Sequence, residues 1–466
     1  MLSSMPFALI VLLSIPLETL AVPRPLIPAA GQSVPLKRKA QVTRNESEWA
    51  EWAKSQRDAV MAKYSPQRKK RSTGVNLIVN QGLDSSFYGS VAVGTPPVAF
   101  DVILDTGSAD LWIADTHCDS TCAGTGNFDP SKSSSFQNLS KVFDVTYGSG
   151  EAMGTLGQDV VQMAGFSVQK QQFGAVTATS SNFLQNPVTG LIGLAWQSLA
   201  ASGAMPFWQA LASGGYWDSP LMGFQLTRFL NDSSAGNLEP GGSLSMGFVN
   251  ESLYTGTIDY QNIPNGQASY WLQAITALTV QGKSISLPSG AASYAAIDTG
   301  TTLVAGPSSG IQAIYAQIPG SHPGSGQWEG FYSYPCNADV VVEISFGGPS
   351  WSISPADFQF TATGPSSTDC YGAFYEIPTA EGSPPWIVGD TFLKNVYSVF
   401  RYDPPSVGFA ALSETALAMN GANAVVPTPT IGADTAIVTA NSATPAHTLG
   451  HLTLVISAIF GLLFLL

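Results

Sequence analysis

Apolar residues fall along this chain in short runs and alternations rather than at helical spacing. Phe100-Asp101-Val102-Ile103-Leu104 reads as a buried strand leading into an acidic turn. Leu191-Ile192 and Ile387-Val388 close apolar runs that each end on a glycine, Gly193 and Gly389. From Phe143 to Leu156 the positions alternate, and Gly148, Gly150 and Gly154 fall within the alternation, which predicts a mobile two-stranded hairpin. Ile311 to Gln317 predicts one short helix, opened by Ser309 and Gly310. The other helical periodicity is brief and lies in a basic stretch near the N-terminus. Two apolar segments sit at the ends of the chain, Phe7 to Ile15 and Leu452 to Leu466.

Composition supports a strand-rich reading. At 44% apolar and 466 residues the chain can fill two or three sizeable cores. Only 11% of residues are charged, while Gly, Ser, Thr, Val and aromatics abound, so strands and turns outweigh helices. The expected fold class is all-β.

Charge changes sign along the sequence. Residues 22–71 hold twelve Lys/Arg and four Asp/Glu, whereas residue 72 onward holds seven Lys/Arg and 27 Asp/Glu. The junction is Arg68-Lys69-Lys70-Arg71, a run suited to processing proteases, with cleavage expected after Arg71. A basic leader on an acidic body fits a removable prosegment better than a nucleic-acid patch. Ahead of it, Phe7 to Ile15 followed by Thr19 and Ala21 reads as a signal peptide over residues 1–21, although no Lys or Arg precedes the apolar run.

After Leu412 the chain turns rich in Ala, Thr, Ser, Pro and Asn, and a flexible stalk is expected over 413–441. Leu452 to Leu466 is short for a span, which needs about 20 apolar residues, and no basic residue follows it. Asn441-Ser442-Ala443, a polar spacer and this tail match a glycosylphosphatidylinositol (GPI) attachment signal at Asn441, with 442–466 removed. A tail-anchored helix is the alternative.

Four cysteines allow three pairings, and nearness in sequence favours Cys118–Cys122 and Cys336–Cys370. Secretion makes disulfides credible, and sparse histidine argues against a metal site. Asn138, Asn231 and Asn250 lie in N-x-Ser glycosylation sequons of the body, and Asn45 in one of the leader.

The chemistry lies in an internal repeat. Ile103-Leu104-Asp105-Thr106-Gly107-Ser108 recurs as Ala296-Ile297-Asp298-Thr299-Gly300-Thr301, and each copy precedes its apolar-apolar-Gly run by a similar distance. One Asp-x-Gly turn is a weak signal. Two at matched positions imply paired β lobes, 72–248 and 249–412, meeting at two aspartates. Gly107 lets backbone turn sharply and approach a ligand, and the hydroxyls of Thr106 and Thr299 can bond across the interface. Two carboxylates brought together share a proton over an acidic range, so one member activates water while the other polarises a carbonyl. Aspartic proteases are themselves the type example of such a dyad.

From about Tyr88 to Leu412 the chain resembles the pepsin-like aspartic proteases. Asp105 to Trp112 resembles their first active-site loop, Asp298 to Leu303 the second, and Tyr147-Gly148-Ser149-Gly150 the tip of the substrate-covering flap. Trp386 to Phe392 and Val407 to Ala410 resemble the end of their C-terminal lobe. The resemblance implies a bilobal pepsin-like fold with catalytic Asp105 and Asp298. It further implies that Ser108 and Thr301 support the dyad and that Trp112 bonds Tyr147. Leader, stalk and anchor signal together resemble the GPI-anchored fungal, yapsin-like group. Two departures stand out: two possible disulfides instead of pepsin's three, and Ser149 and Glu151 on the flap.

The expected protein is an endopeptidase working in acid on extended polypeptides beneath the flap, with no cofactor, no metal and no nucleic-acid partner. The leader serves as its own inhibitor, with Lys37, Arg38 or Lys39 set to meet the aspartates. A lipid anchor ties it to the membrane or wall, and it acts as a monomer. The alternatives are a catalytically silent pepsin-like binding protein, which would lack an Asp or the Tyr, and a structural cell-wall glycoprotein. Gly306-Pro307-Ser308-Ser309-Gly310 fits a serine-hydrolase pattern, but no strand-turn-helix setting is expected there and histidine is scarce.

Overall fold

The computed structural model describes residues 72–122, 127–230, 232–266, 268–378, 382–422, 426–427 and 436–438. The expected signal peptide and prosegment with Arg71, together with Asn231, Asn441 and the apolar tail, lie outside the described residues. The body is mostly strand, and the longest described helix is the eight-residue Ser308–Tyr315. Among the described residues no helix is long and apolar enough to cross a membrane.

Each half of the body carries the same small arrangement of strands. In the first, Val98–Asp105 runs parallel to Gly190–Gly193, with Asp105 opposite Gly193. Leu111–Ala114 lies antiparallel to Gly190–Gly193 and parallel to Phe166–Thr179. In the second, Tyr294–Ile297 runs parallel to Trp386–Val388. Val304–Gly306 lies antiparallel to Trp386–Val388 and parallel to Phe374–Glu376. The repeat in sequence is thus a repeat in topology, because each apolar-apolar-Gly strand is buried beside the strand that delivers an aspartate.

The halves share a sheet. Leu221–Leu226 from the first pairs antiparallel with Val396–Arg401 from the second, flanked by Leu238–Met246 and Gly74–Gln81 on one side. Ser406–Leu412 and Tyr254–Asn262 extend it on the other. Aromatic packing reinforces the junction. Trp271 of the second half donates its indole N–H to Leu194 O (2.9 Å), and Trp208 donates to Ala195 O (2.8 Å). Trp196 stacks on Tyr402 with ring centroids 5.3 Å apart. The tryptophans are buried and Tyr402 half-buried, and aromatic contacts of this kind add to the area term.

A buried ionic cluster crosses the same junction in both directions. Lys394 of the second half reaches Asp84 of the first (2.7 Å), while Arg228 of the first half pairs with Asp357 of the second (2.5 Å). Lys394 also contacts Asp357 at 3.0 Å. Against the upward push of burial, the Lys394 and Arg228 charges hold the Asp357 carboxyl below its usual range.

Both disulfides form as expected, Cys118–Cys122 and Cys336–Cys370. The expected stalk, 413–441, needs correction at its start. Ser413 caps the helix Glu414–Leu417, Ala416 is fully buried, and Gly421 N donates to Arg228 O, so the chain stays on the body to that point. Further on, Ala436–Val438 pairs parallel with the strand Phe166–Thr179. Low charge and small side chains did not make this segment free, because an N-cap and one buried methyl suffice to dock a single turn. A second correction concerns the Gly306-to-Gly310 pattern. The strand Val304–Gly306 and the helix Ser308–Tyr315 do flank it.

Candidate active site

The two acidic loops meet at the ends of their strands, and their hydrogen bonds repeat. Gly107 N donates to Asp105 Oδ1 (2.7 Å) and Gly300 N to Asp298 Oδ1 (2.8 Å). On the other oxygens, Ser108 Oγ donates to Asp105 (2.5 Å) and Thr301 Oγ1 to Asp298 (2.6 Å). Each carboxylate is therefore oriented by one amide and one hydroxyl from its own loop.

The threonines between them lock the loops together. Thr106 N donates to Thr299 Oγ1 (3.1 Å), and Thr299 N donates to Thr106 Oγ1 (2.9 Å). Each hydroxyl then donates onward into the other half, Thr106 to Ile297 O (2.9 Å) and Thr299 to Leu104 O (2.6 Å). All four bonds are buried, where an unmade bond would be costly.

Glycine is required at both turns by crowding. A Cβ on Gly107 would land on the Asp298 carboxyl, and one on Gly300 would land on the Asp105 carboxyl. That reciprocal contact places the carboxyls side by side. Burial pushes Asp105 well above the usual carboxylate range, and the adjacent charge of Asp298 pushes it further. Asp105 therefore keeps its proton where an isolated carboxyl would have lost it.

Over the dyad stands the expected hairpin. Gln137–Tyr147 and Gly150–Met163 pair antiparallel with Tyr147 opposite Gly150, leaving Gly148 and Ser149 as the tip. Trp112 donates its indole N–H to the Tyr147 hydroxyl (2.9 Å). The hairpin tyrosine is thus held by Trp112, while Asp105 is held by Ser108 of its own loop. Burial, then the nearby Asp105 charge, push the Tyr147 phenol far up, so it stays a neutral hydroxyl.

Sequence reasoning missed several neighbours. Phe183 packs against both Tyr147 and Trp112, with ring centroids 5.6 and 5.8 Å away. Tyr270 and Tyr375 have phenols pushed up by burial and then by the charge of Asp298. Asp390 is fully buried with Oδ1 unpartnered, and burial raises it well above the usual range. Phe183, Tyr270 and Tyr375 carry no local signal, whereas Asp390 follows directly on Gly389 and reads from the sequence as a structural residue. Asn138 is exposed, whereas Asn250 is half-buried with its Oδ1 accepting from Ser252. Among the described residues no cluster of His, Cys, Asp or Glu could hold a metal ion.

Paired β lobes bearing two Asp-Thr-Gly loops, with each carboxyl packed on the other loop's glycine, define the class of the aspartic peptidases. Residues 86–412 match the family model described as eukaryotic aspartyl protease. The chain is 42% identical to a protein named "Major aspartyl peptidase 1" from Cryptococcus neoformans, covering 86% of this chain and 88% of that one. It is 36% identical to an "Aspartic protease" of Phaffia rhodozyma, over 73% and 80% of the two chains. It is 31% identical to "Pepsin A" of Sus scrofa, over 82% and 95%. The chain belongs to the pepsin-like aspartic protease family and is an aspartic endopeptidase.

Proposed function

We propose that Asp105 and Asp298 hydrolyse internal peptide bonds of polypeptides in acid, without a covalent intermediate. The observation that carries this is the symmetric pair of carboxyls, each held by one amide and one hydroxyl of its own loop and packed on the glycine of the other. With one shared proton, one carboxyl takes a proton from water as the water attacks the carbonyl carbon. The other gives its proton to the carbonyl oxygen. The tetrahedral intermediate then collapses as the amide nitrogen is protonated and leaves. Tyr147 closes over the bound chain, with Gly148 and Ser149 alongside it, and Trp112 fixes its ring. Asp105→Asn and Asp298→Asn should each abolish peptide hydrolysis while leaving circular dichroism and unfolding cooperative. Turnover above a few per cent in either purified variant refutes the assignment.

The processing and location readings belong to the same proposal. The protein is secreted as a zymogen, its basic leader held on the acidic body until cleavage after Arg71. Mass spectrometry should find active enzyme starting at or near Ser72, and fully active protein starting at Val22 would exclude a zymogen. A lipid at Asn441 then holds the enzyme at the cell surface in the yapsin-like manner. Phosphatidylinositol-specific phospholipase C should release it, and mature protein still carrying 452–466 would contradict this. The acidic body would carry glycans at Asn138, Asn231 and Asn250, detectable as a mobility shift on deglycosylation.

A further inference from the structure

The hairpin over the dyad is held from the side. Its second limb pairs with the strand Phe166–Thr179 as far as Ala152, opposite Thr179. One residue nearer the tip, Glu151 N donates to Ser180 Oγ (2.9 Å) and Ser180 N donates to Glu151 O (3.0 Å). Ser180 therefore continues the ladder past the strand's end with its own side chain. Beyond it the tip packs closely, since a Cβ on Gly150 would come within 2.9 Å of Ser180 Cβ and 3.2 Å of the Phe183 ring. Phe183 N in turn donates to Ser180 O (3.2 Å), closing a turn that sets this ring between Trp112 and Tyr147.

The strand end is itself fastened to the first disulfide loop. Thr179 N donates to Thr121 Oγ1 (2.9 Å), and Thr179 Oγ1 donates to Thr121 O (3.0 Å). Asp119 N reaches Thr177 O (3.1 Å), and Asp119 Oδ1 accepts from both the amide and the hydroxyl of Thr121. Cys118–Cys122 closes this loop into a five-residue ring of sequence. A continuous chain of bonds runs from the disulfide loop through Thr121 and Thr179 to Ser180 and on to Glu151 of the hairpin.

We propose that the Cys118–Cys122 loop and the turn from Ser180 to Phe183 form a dock that holds the hairpin over the dyad, with Ser180 as its positioning residue. Neither touches the reacting atoms. The dock acts on substrate affinity, because the hairpin must lift from Ser180 and Phe183 to admit a polypeptide and settle back to retain it. The proposal rests on the reading of the hairpin as the cover over bound substrate.

The test uses protein secreted from a host expressing the full chain, compared as Ser180→Ala, Ser180→Thr and the double variant Cys118→Ser/Cys122→Ser. Hydrogen exchange reads the hairpin directly and needs no activity. Ser180→Ala should raise exchange over 143–156 and leave 86–105 unchanged, and the double variant should do the same. On a peptide substrate Ser180→Ala should raise KM about fivefold, the worth of one neutral hydrogen bond, with kcat within about twofold. Ser180→Thr, which keeps the acceptor, should restore both readouts. Unchanged hairpin exchange in Ser180→Ala overturns the dock, and that variant folds independently of any effect the cysteine changes have. Faster exchange with unchanged KM, while Tyr147→Ala raises KM, overturns the link to affinity. If neither variant moves KM, the reading of the hairpin as substrate cover fails and the proposal with it.

Discussion

Replacing Thr299 by Val removes one hydroxyl and almost no volume, so it isolates the lock between the two acidic loops. That hydroxyl accepts from Thr106 N and donates to Leu104 O, and both residues are fully buried. The Thr106 amide would lose its partner in a place water does not reach, which costs about 1–3 kcal/mol. The lost bond to the Leu104 carbonyl adds about 1 kcal/mol, giving roughly 2–4 kcal/mol in all. That is a large share of a typical stability of about 5–15 kcal/mol. Urea unfolding measures it, in an Asp105→Asn background so that unfolded chain is not digested. With a slope of about 3 kcal/mol per molar, the midpoint should fall by about 1 M. Thr299→Ser keeps the hydroxyl and should stay within about 1 kcal/mol of the parent. Thr302→Val removes a single bond to Ser85 O at the exposed rim, where water replaces the donor, and should cost under about 1 kcal/mol. If Thr299→Val costs less than about 0.5 kcal/mol, or no more than Thr302→Val, the crossed threonines do not hold the loops together.

Three more outcomes follow from the same geometry. Gly300→Ala would drive a methyl into the Asp105 carboxyl, and displacing it should lower kcat/KM by about a hundredfold, so an alanine variant of near-normal activity would contradict the packing. Lys394→Met would leave Asp84 and Asp357 buried without their shared ammonium, at about 3–5 kcal/mol, and an unchanged urea midpoint would refute the ionic cluster's role. Stability should also follow pH in two directions. Asp105 and Asp390 are raised on folding, chiefly by burial, so their contribution is complete below the ordinary value of 3.8 and is lost as pH climbs through the raised ones. Asp357 is lowered, so its contribution is present above 3.8 and is lost as pH falls through the depressed value. Denaturant unfolding across pH should therefore show a maximum in mild acid, and stability rising steadily to about pH 7 would contradict it.

The sequence alone determined the class of fold, the pairing of the halves and the two aspartates. Those features are local: strand periodicity, glycine at a turn and a six-residue motif are written in consecutive positions, and their recurrence is visible without a fold. The hairpin from Phe143 to Leu156 was legible for the same reason, as were two disulfides whose cysteines lie near each other in sequence. The tertiary structure alone decided what surrounds the aspartates. Phe183, Tyr270 and Tyr375 approach from separate segments, and none lies in a motif that marks it; Asp390 sits in the Trp386-to-Phe392 segment, but only packing shows it buried. The ionic cluster is the extreme case, with Lys394 bonded to Asp84 across 310 positions. A lone Lys, Arg or Asp in sequence reads as a solvated surface charge, and only packing shows that these are buried and paired. The docked segment after Leu412 misled for the converse reason. Its composition described an unstructured chain, but one capping hydroxyl and one buried alanine fastened it, and such contacts depend on which surface lies opposite.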